Sequence, residues 1–92
     1  MADQGRLPEA ARHCEQYLRD RDPSPEALHL LGLIRDAAGH LSEAVDYYRK
    51  ALYLDPSHHQ SLVHLSLLLE KQGDSAGAKV LNDRVRRLDR RE

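Results

Sequence analysis

Residues 25–58 read PEALHLLGLIRDAAGHLSEAVDYYRKALYLDPSH, and the placing of their small and apolar residues decides the fold. Leu28, Leu31 and Gly32 fall at i, i+3 and i+4. That is one stripe of a helix, and a glycine in the stripe removes the side chain where a partner helix must come close. Ala38-Gly39-His40 then supplies a turn, with Gly39 ending the first helix in a left-handed conformation that other residues dislike. A second helix follows, on which Ala44 and Ala51, seven residues apart, form the matching small surface. Asp55-Pro56 closes it, because Pro56 lacks an amide hydrogen and biases Asp55 away from helical geometry. The stretch is a helix, a turn and a helix.

Working outward, the same design returns in both directions. Gly5, Gly39 and Gly73 are 34 residues apart, and so are Ala10, Ala44 and Ala78. Two residue types therefore keep one register, which is the signature of stacked repeats. Residues 59–92 form a second full unit, with Leu62, Leu65, Ser66 and Leu69 on its first helix and Ala78, Leu81, Val85 and Leu88 on its second. Ser57 and Gln60 predict a capping box at the start of that unit, and Asp74 predicts a cap for its second helix. Residues 1–24 supply only part of a unit: Gly5 takes the turn position, Met1–Gln4 is the tail of a first helix, and Pro8–Asp20 is a second helix. The expected fold class is all-α, a single domain (residues 1–92) of about five helices in a stack of antiparallel hairpins. The register also predicts a chain that begins inside a repeat, a fragment of a longer protein. The uncovered face of its first helix would then favour self-association.

Composition agrees and excludes several functions. Of 92 residues, 40% are apolar with no Trp or Phe, and 32% are charged with a net charge of about −1. Interspersed signs give no global field to draw the chain to DNA or an anionic membrane, so nucleic acid is disfavoured. The longest apolar stretch, Leu62–Leu69, is broken by His64 and Ser66 and is far short of the ~20 residues of a membrane span. The first residues lack the pattern of a secretory signal. One cysteine, Cys14, allows no internal disulfide, which fits a reducing cytoplasm.

These residues resemble the tetratricopeptide repeat family over essentially the whole chain. The middle unit carries the family's Leu31-Gly32, Gly39, Ala44, Tyr48, Ala51 and Pro56 pattern. It departs at Arg35, where the family usually has a large aromatic, while Val85 and Tyr17 replace the small residue corresponding to Ala51. The wording LLGLIRDAAG and YYRKALYLDPSHHQSLVHLSLLLEKQGD looks like the C-terminal repeat region of bacterial CheR-type chemoreceptor methyltransferases, in particular their WspC-like branch. The resemblance implies a protein-interaction module, an accessory or regulatory domain of an enzyme that methylates receptor glutamates from S-adenosylmethionine. Chemoreceptors or other chemosensory signalling components are the partners it suggests. Nothing here resembles the catalytic or cofactor-binding domain of such enzymes. S-adenosylmethionine is thus expected only in the parent's catalytic domain, and no catalytic or cofactor-binding residue carries over. The alternative is a repeat scaffold of an unrelated cytoplasmic or chaperone-associated assembly.

Residues that could carry chemistry read as structural. His13, His29, His40, His58, His59 and His64 include no i, i+4 pair of the kind that puts two imidazoles on one helical face for zinc, so no metal site is expected. Cys14, whose repeat equivalents are Tyr48 and Asn82, reads as a small buried hydrophobe. Glu15 with Arg19, Asp46 with Lys50 and Asp83 with Arg87 are spaced as helix-surface pairs. Arg84, Arg86, Arg87, Arg90 and Arg91 are diluted by Asp83, Asp89 and Glu92 and read as a solvated outer face.

Successive first helices of such stacks line a concave surface, the usual ligand face. Helical spacing puts Glu26, His29, Leu33 and Asp36 there from the middle unit, and Gln60, Val63, Leu67, Glu70 and Lys71 from the next. Apolar residues rimmed by charge suit an amphipathic helix or an extended peptide. The family's chaperone-tail clamp is disfavoured, because His29, Leu33, Val63 and Leu67 replace its Lys, Asn and Arg positions.

Overall fold

The computed structural model describes the backbone of residues 2–90 and the side chains of Glu9 and of residues 12–90. The elements are α1 (Ala2–Arg19), α2 (Pro25–Ala37), α3 (Leu41–Leu54), α4 (His59–Lys71) and α5 (Ser75–Arg90), with no strand among the described residues. The helices α2 and α3 form one antiparallel hairpin and α4 and α5 a second. They stack through α3 on α4, and α1 packs on α2. The all-α architecture of stacked hairpins is the one expected.

Each boundary has a local cause. Ser24 accepts the Ala27 amide on its Oγ at 3.1 Å and is followed by Pro25 at the first helical position, a start signal that the sequence reading passed over. Gly39 and Gly73 have φ of +83° and +86°. Beyond them the His40 amide reaches back to the Arg35 carbonyl at 2.9 Å, and the Asp74 amide to Leu69 at 2.8 Å. The two turns are thus one motif used twice, and it pairs carbonyls that a helix end leaves free. Asp74 caps α5 as expected, accepting the Gly77 amide at 2.9 Å. The capping box at Ser57 does not form. Ser57 turns back to Asp55, donating its amide at 3.1 Å and its hydroxyl at 3.0 Å, and His58 becomes the residue before α4. A carboxylate two residues away is the better acceptor for both donors.

A second correction concerns the first unit. Gly5 is not a turn: α1 runs through it from Ala2. Four residues are too few to nucleate a separate helix, so extending an existing one is the favourable course. The side chain of Ala10 lies outside the described residues.

The core consists of Ala44, Val45, Tyr48, Leu62, Leu65, Leu68, Leu69, Ala78 and Leu81, drawn from α3, α4 and α5, with Leu33, Leu41, Leu52, Val85 and Leu88 packed against it. Gly32 is a place of close approach, but its neighbour is the Tyr48 ring rather than the alanines. A Cβ there would lie 2.6 Å from Tyr48 Cδ1. One repeat on, Ser66 and Asn82 hold the positions of Gly32 and Tyr48, and Ser66 donates to Asn82 Oδ1 at 2.8 Å.

Arg35 explains its own departure from the repeat pattern. Its guanidinium donates to Glu15 of α1 at 2.6 Å and lies 3.5 Å from Glu43 of α3. Glu15, expected on the surface, is only 6% exposed. Its pairing with Arg19 persists at a longer 3.5 Å, and Arg19 also donates to the Tyr47 hydroxyl of α3. On α5, Asp83 pairs with Arg86 at 2.9 Å in place of Arg87, and Lys50 lies over the Tyr47 ring instead of pairing with Asp46. The fold thus joins α1 to the first hairpin through charges where the family usually has an aromatic.

Two stability predictions follow from this geometry. Gly32→Ala adds helix propensity but forces a Cβ into the Tyr48 ring, and overpacking of this kind costs about 1–3 kcal/mol, so a net loss of roughly 1–2 kcal/mol is expected in urea unfolding. Arg35→Met strands a buried carboxylate. Because Arg19 remains as a second partner, the loss should fall to about 1–2 kcal/mol, below that of a fully buried broken pair, and pairing Arg35→Met with Glu15→Leu should recover much of it.

Candidate functional site

The residues that helical spacing assigns to the face of α2 and α4 differ in their exposure. Glu26, Gln60, Leu67, Glu70 and Lys71 are exposed, and Leu33, Asp36 and Val63 are half-buried. Leu67 is 51% exposed, a large amount for a leucine in so small a domain. Beside it Glu70 and Lys71 close the C-terminal end of α4 with opposite charges. The face can therefore offer an apolar contact with charged groups at its margin, a mixture suited to an amphipathic segment.

His29 is the exception, being buried at 5% exposure. Its Nε2 is 2.7 Å from His64 Nδ1, and the two rings stack at 4.9 Å. The His58 ring lies 5.5 Å away, and His58 Nδ1 is hydrogen-bonded to Ser61 Oγ at 2.7 Å. A within-helix spacing test could not find this grouping, because His29 belongs to α2, His64 to α4, and His58 to the cap before α4. The short nitrogen–nitrogen distance requires one ring to donate and the other to accept, so a single proton lies between these two nitrogens. It is a hydrogen-bonded seam between the first helices of two repeats. Among the described residues no three His, Cys, Asp or Glu side chains are arranged to hold a metal ion.

Tyr48 lies beneath this seam, its ring 5.6 Å from His29 and 5.8 Å from His64. Burial, with a smaller contribution from Asp36, pushes its phenol up to about 12, so the hydroxyl stays protonated at any ordinary pH. Burial likewise lowers His29 from its ordinary value, and the neighbouring His64 and His58 lower it further. Both influences disfavour a second proton in the seam.

Cys14 is exposed, where a buried position was expected. It has the repeat position of Tyr48, but among the described residues the helix that covers Tyr48 has no counterpart over α1. On α5, Arg86, Arg87 and Arg90 are exposed and Arg84 is half-buried. No helix among the described residues is long and apolar enough to cross a membrane.

A stack of two-helix units in 34-residue register, with an open face along its first helices, defines a repeat domain built for binding other proteins. Residues 25–58 match the tetratricopeptide repeat family. It is 48% identical over 87 residues to the probable biofilm formation methyltransferase WspC of Pseudomonas aeruginosa, and 43% identical over 90 residues to the protein of the same description in Pseudomonas putida. These alignments take in 95% and 98% of the chain but only 21% of each relative, so the chain spans about a fifth of their length. It is also 34% identical over 80 residues to human tetratricopeptide repeat protein 7B, covering 85% of the chain and 10% of that protein.

The seam predicts the sign of the pH dependence. His29 has a lower folded value than the ordinary 6.5, so between the two the unfolded chain binds more protons. Its contribution to stability is then complete above pH 6.5 and is lost as pH falls through the folded value. Urea unfolding between pH 7.5 and 5 should show the midpoint falling with acid. His29→Leu should flatten that slope.

Proposed function

We propose that this chain is the protein-interaction region of a longer methyltransferase of the WspC type, where it positions or regulates the enzyme for a chemosensory partner. The supporting observation is the pair of identities, 48% and 43%, that run nearly the length of the chain against proteins described as biofilm formation methyltransferases. The fold supplies the interaction surface, and the concave residues Glu26, Leu33, Asp36, Gln60, Val63, Leu67, Glu70 and Lys71 are its contact set, with His29 withdrawn into the seam. A helix of a receptor cytoplasmic region suits this face, because such a helix can offer an apolar stripe to Leu67 and Val63 and charges to the rim.

Methyl transfer itself belongs elsewhere in such an enzyme. In this reading S-adenosylmethionine binds the catalytic part of such an enzyme, and no residue of this chain is given a role toward it. No step is assigned to it here. In this reading the repeats raise the local concentration of enzyme at its substrate, and tethering of this kind strengthens the second encounter without any new catalytic contact.

The experiment is methylation of chemoreceptor glutamates by the full enzyme, following the methyl group of labelled S-adenosylmethionine. Leu67→Asp should raise KM for the receptor about tenfold and leave kcat nearly unchanged, which is the pattern of lost uniform binding. Unaltered KM in a variant that keeps its helical circular dichroism would reject the concave face as the contact. Absence of methyl transfer by the wild-type enzyme would reject the methyltransferase reading.

A further inference from the structure

Between α3 and α5 lies a groove of about 330 Å³, floored by Leu52, Leu65, Leu69, Val80 and Leu81, with Arg49, Asp74 and Gly77 around it. Val80 is 56% exposed. None of the concave residues lines this groove, so that face does not account for it.

The chain fills the same place one repeat earlier, and fills it with charge. Thirty-four residues before Arg49, Leu69, Gly77 and Leu81 stand Glu15, Arg35, Glu43 and Tyr47. There the Arg35 guanidinium lies 2.6 Å from Glu15 and 3.5 Å from Glu43, and Arg19 joins Glu15 to the Tyr47 hydroxyl. In the later repeat leucine replaces the guanidinium of Arg35 and glycine removes the side chain of Glu43. What is left is an apolar recess with a cation, Arg49, in place of the Glu15 carboxylate. Among the described residues no helix crosses this place in either repeat, so side chains are what occupy it and not another hairpin of the stack.

The charges beside the recess define what it can receive. Arg49 is exposed and has no ion pair among the described residues. Arg84 follows Val80 by one helical turn on α5 and has none either. Asp74, which also lines the groove, is held to the start of α5 by the Gly77 amide at 2.9 Å. A second copy turned onto this face by a two-fold axis would set its own Arg49 and Arg84 here, and like charges oppose that pairing. An acidic segment meets no such repulsion.

We propose that the α3–α5 groove docks a short acidic segment of another protein, which inserts one large apolar side chain onto Leu69 and Leu81 and sets a carboxylate against Arg49. The pairing is that of the earlier repeat with its roles exchanged: there the chain supplies the carboxylate of Glu15 to a guanidinium, and here its guanidinium takes a carboxylate from outside. Burial of the apolar side chain supplies the affinity, and Arg49 fixes the register. So small a contact belongs to the weak, transient class of interface.

The test is a titration of the nitrogen-15-labelled protein with synthetic peptides Gly-Glu-Glu-Zaa-Glu-Glu-Gly, in which Zaa is leucine, phenylalanine or tryptophan, followed by amide shifts in nuclear magnetic resonance. At least one peptide should move the amides of Gly77, Val80 and Leu81, while those of Val63 and Leu67 on the concave face stay still. Arg49→Glu should weaken binding about tenfold or more. Val80→Asp, whose repeat equivalent is already Asp46, should do the same, and both positions are exposed, so the fold is kept. Arg90→Glu, an equal change of charge elsewhere on α5, should leave the affinity within about twofold. Failure of all these peptides to move the groove amides would overturn the proposal, as would equal binding by the wild type and Arg49→Glu. Groove amides that shift when the protein alone is concentrated would also overturn it, because the occupant would then be a second copy.

Discussion

The Tyr48 ring occupies the point where α2, α3 and α4 meet, and the rest of the stack is arranged around its burial. It is wholly excluded from solvent, rests on Gly32 and carries His29 and His64 over its surface. Its hydroxyl is buried with no hydrogen-bond partner among the described residues, which costs about 1–3 kcal/mol. Removing a tyrosine ring of roughly 150–250 Å² from water contributes about 4–6 kcal/mol at the usual coefficient, as an upper estimate. Burial prevails, and the orphan hydroxyl is tolerated. The ring also holds α2 in place along α3, because only Gly32 on the facing stripe is small enough to receive it.

Departures from the repeat pattern follow one rule, that a changed residue is matched by the residue it touches. Serine in place of glycine at position 66 meets asparagine in place of tyrosine at position 82. Arginine at position 35 meets Glu15 on the helix before it and Glu43 on the helix after it. Val85 stands where Ala51 stands one repeat earlier and is accommodated at the edge of the core, half-buried beside Leu81. Isolated polar groups in such a small interior would be costly, and paired ones are nearly neutral. The stack therefore varies its contacts without losing its register.

Two surfaces result, and they differ in character. The concave face of α2 and α4 mixes exposed Leu67 with acidic groups and one lysine, while the α3–α5 groove sets the Arg49 guanidinium beside an apolar floor. The histidine seam joins α2 to α4 by a hydrogen bond in which one ring nitrogen donates and the other, unprotonated, accepts. A repeat region with two faces of unlike chemistry can hold two unlike segments at once.

How much of this was legible in the sequence follows from the range of each interaction. Helices and turns depend on residues within four or five positions of one another and the repeat register on a plain 34-residue recurrence, and Gly39, Gly73, Ala44 and Pro56 carried that information in plain view. The exposed members of the concave face were legible for the same reason, since helical spacing places them. Spacing could not show that His29, His58 and His64 meet, that Arg35 reaches Glu15, or that Gly32 faces Tyr48, because each of those contacts joins different helices. It also misplaced Gly5, whose turn needs a helix before it, and Cys14, whose burial needs a helix above it. By itself the sequence determined the repeating hairpin, because that is a matter of local backbone preference. Which side chains were buried, paired or left open was decided by the tertiary structure, where each depends on what the neighbouring helix brings.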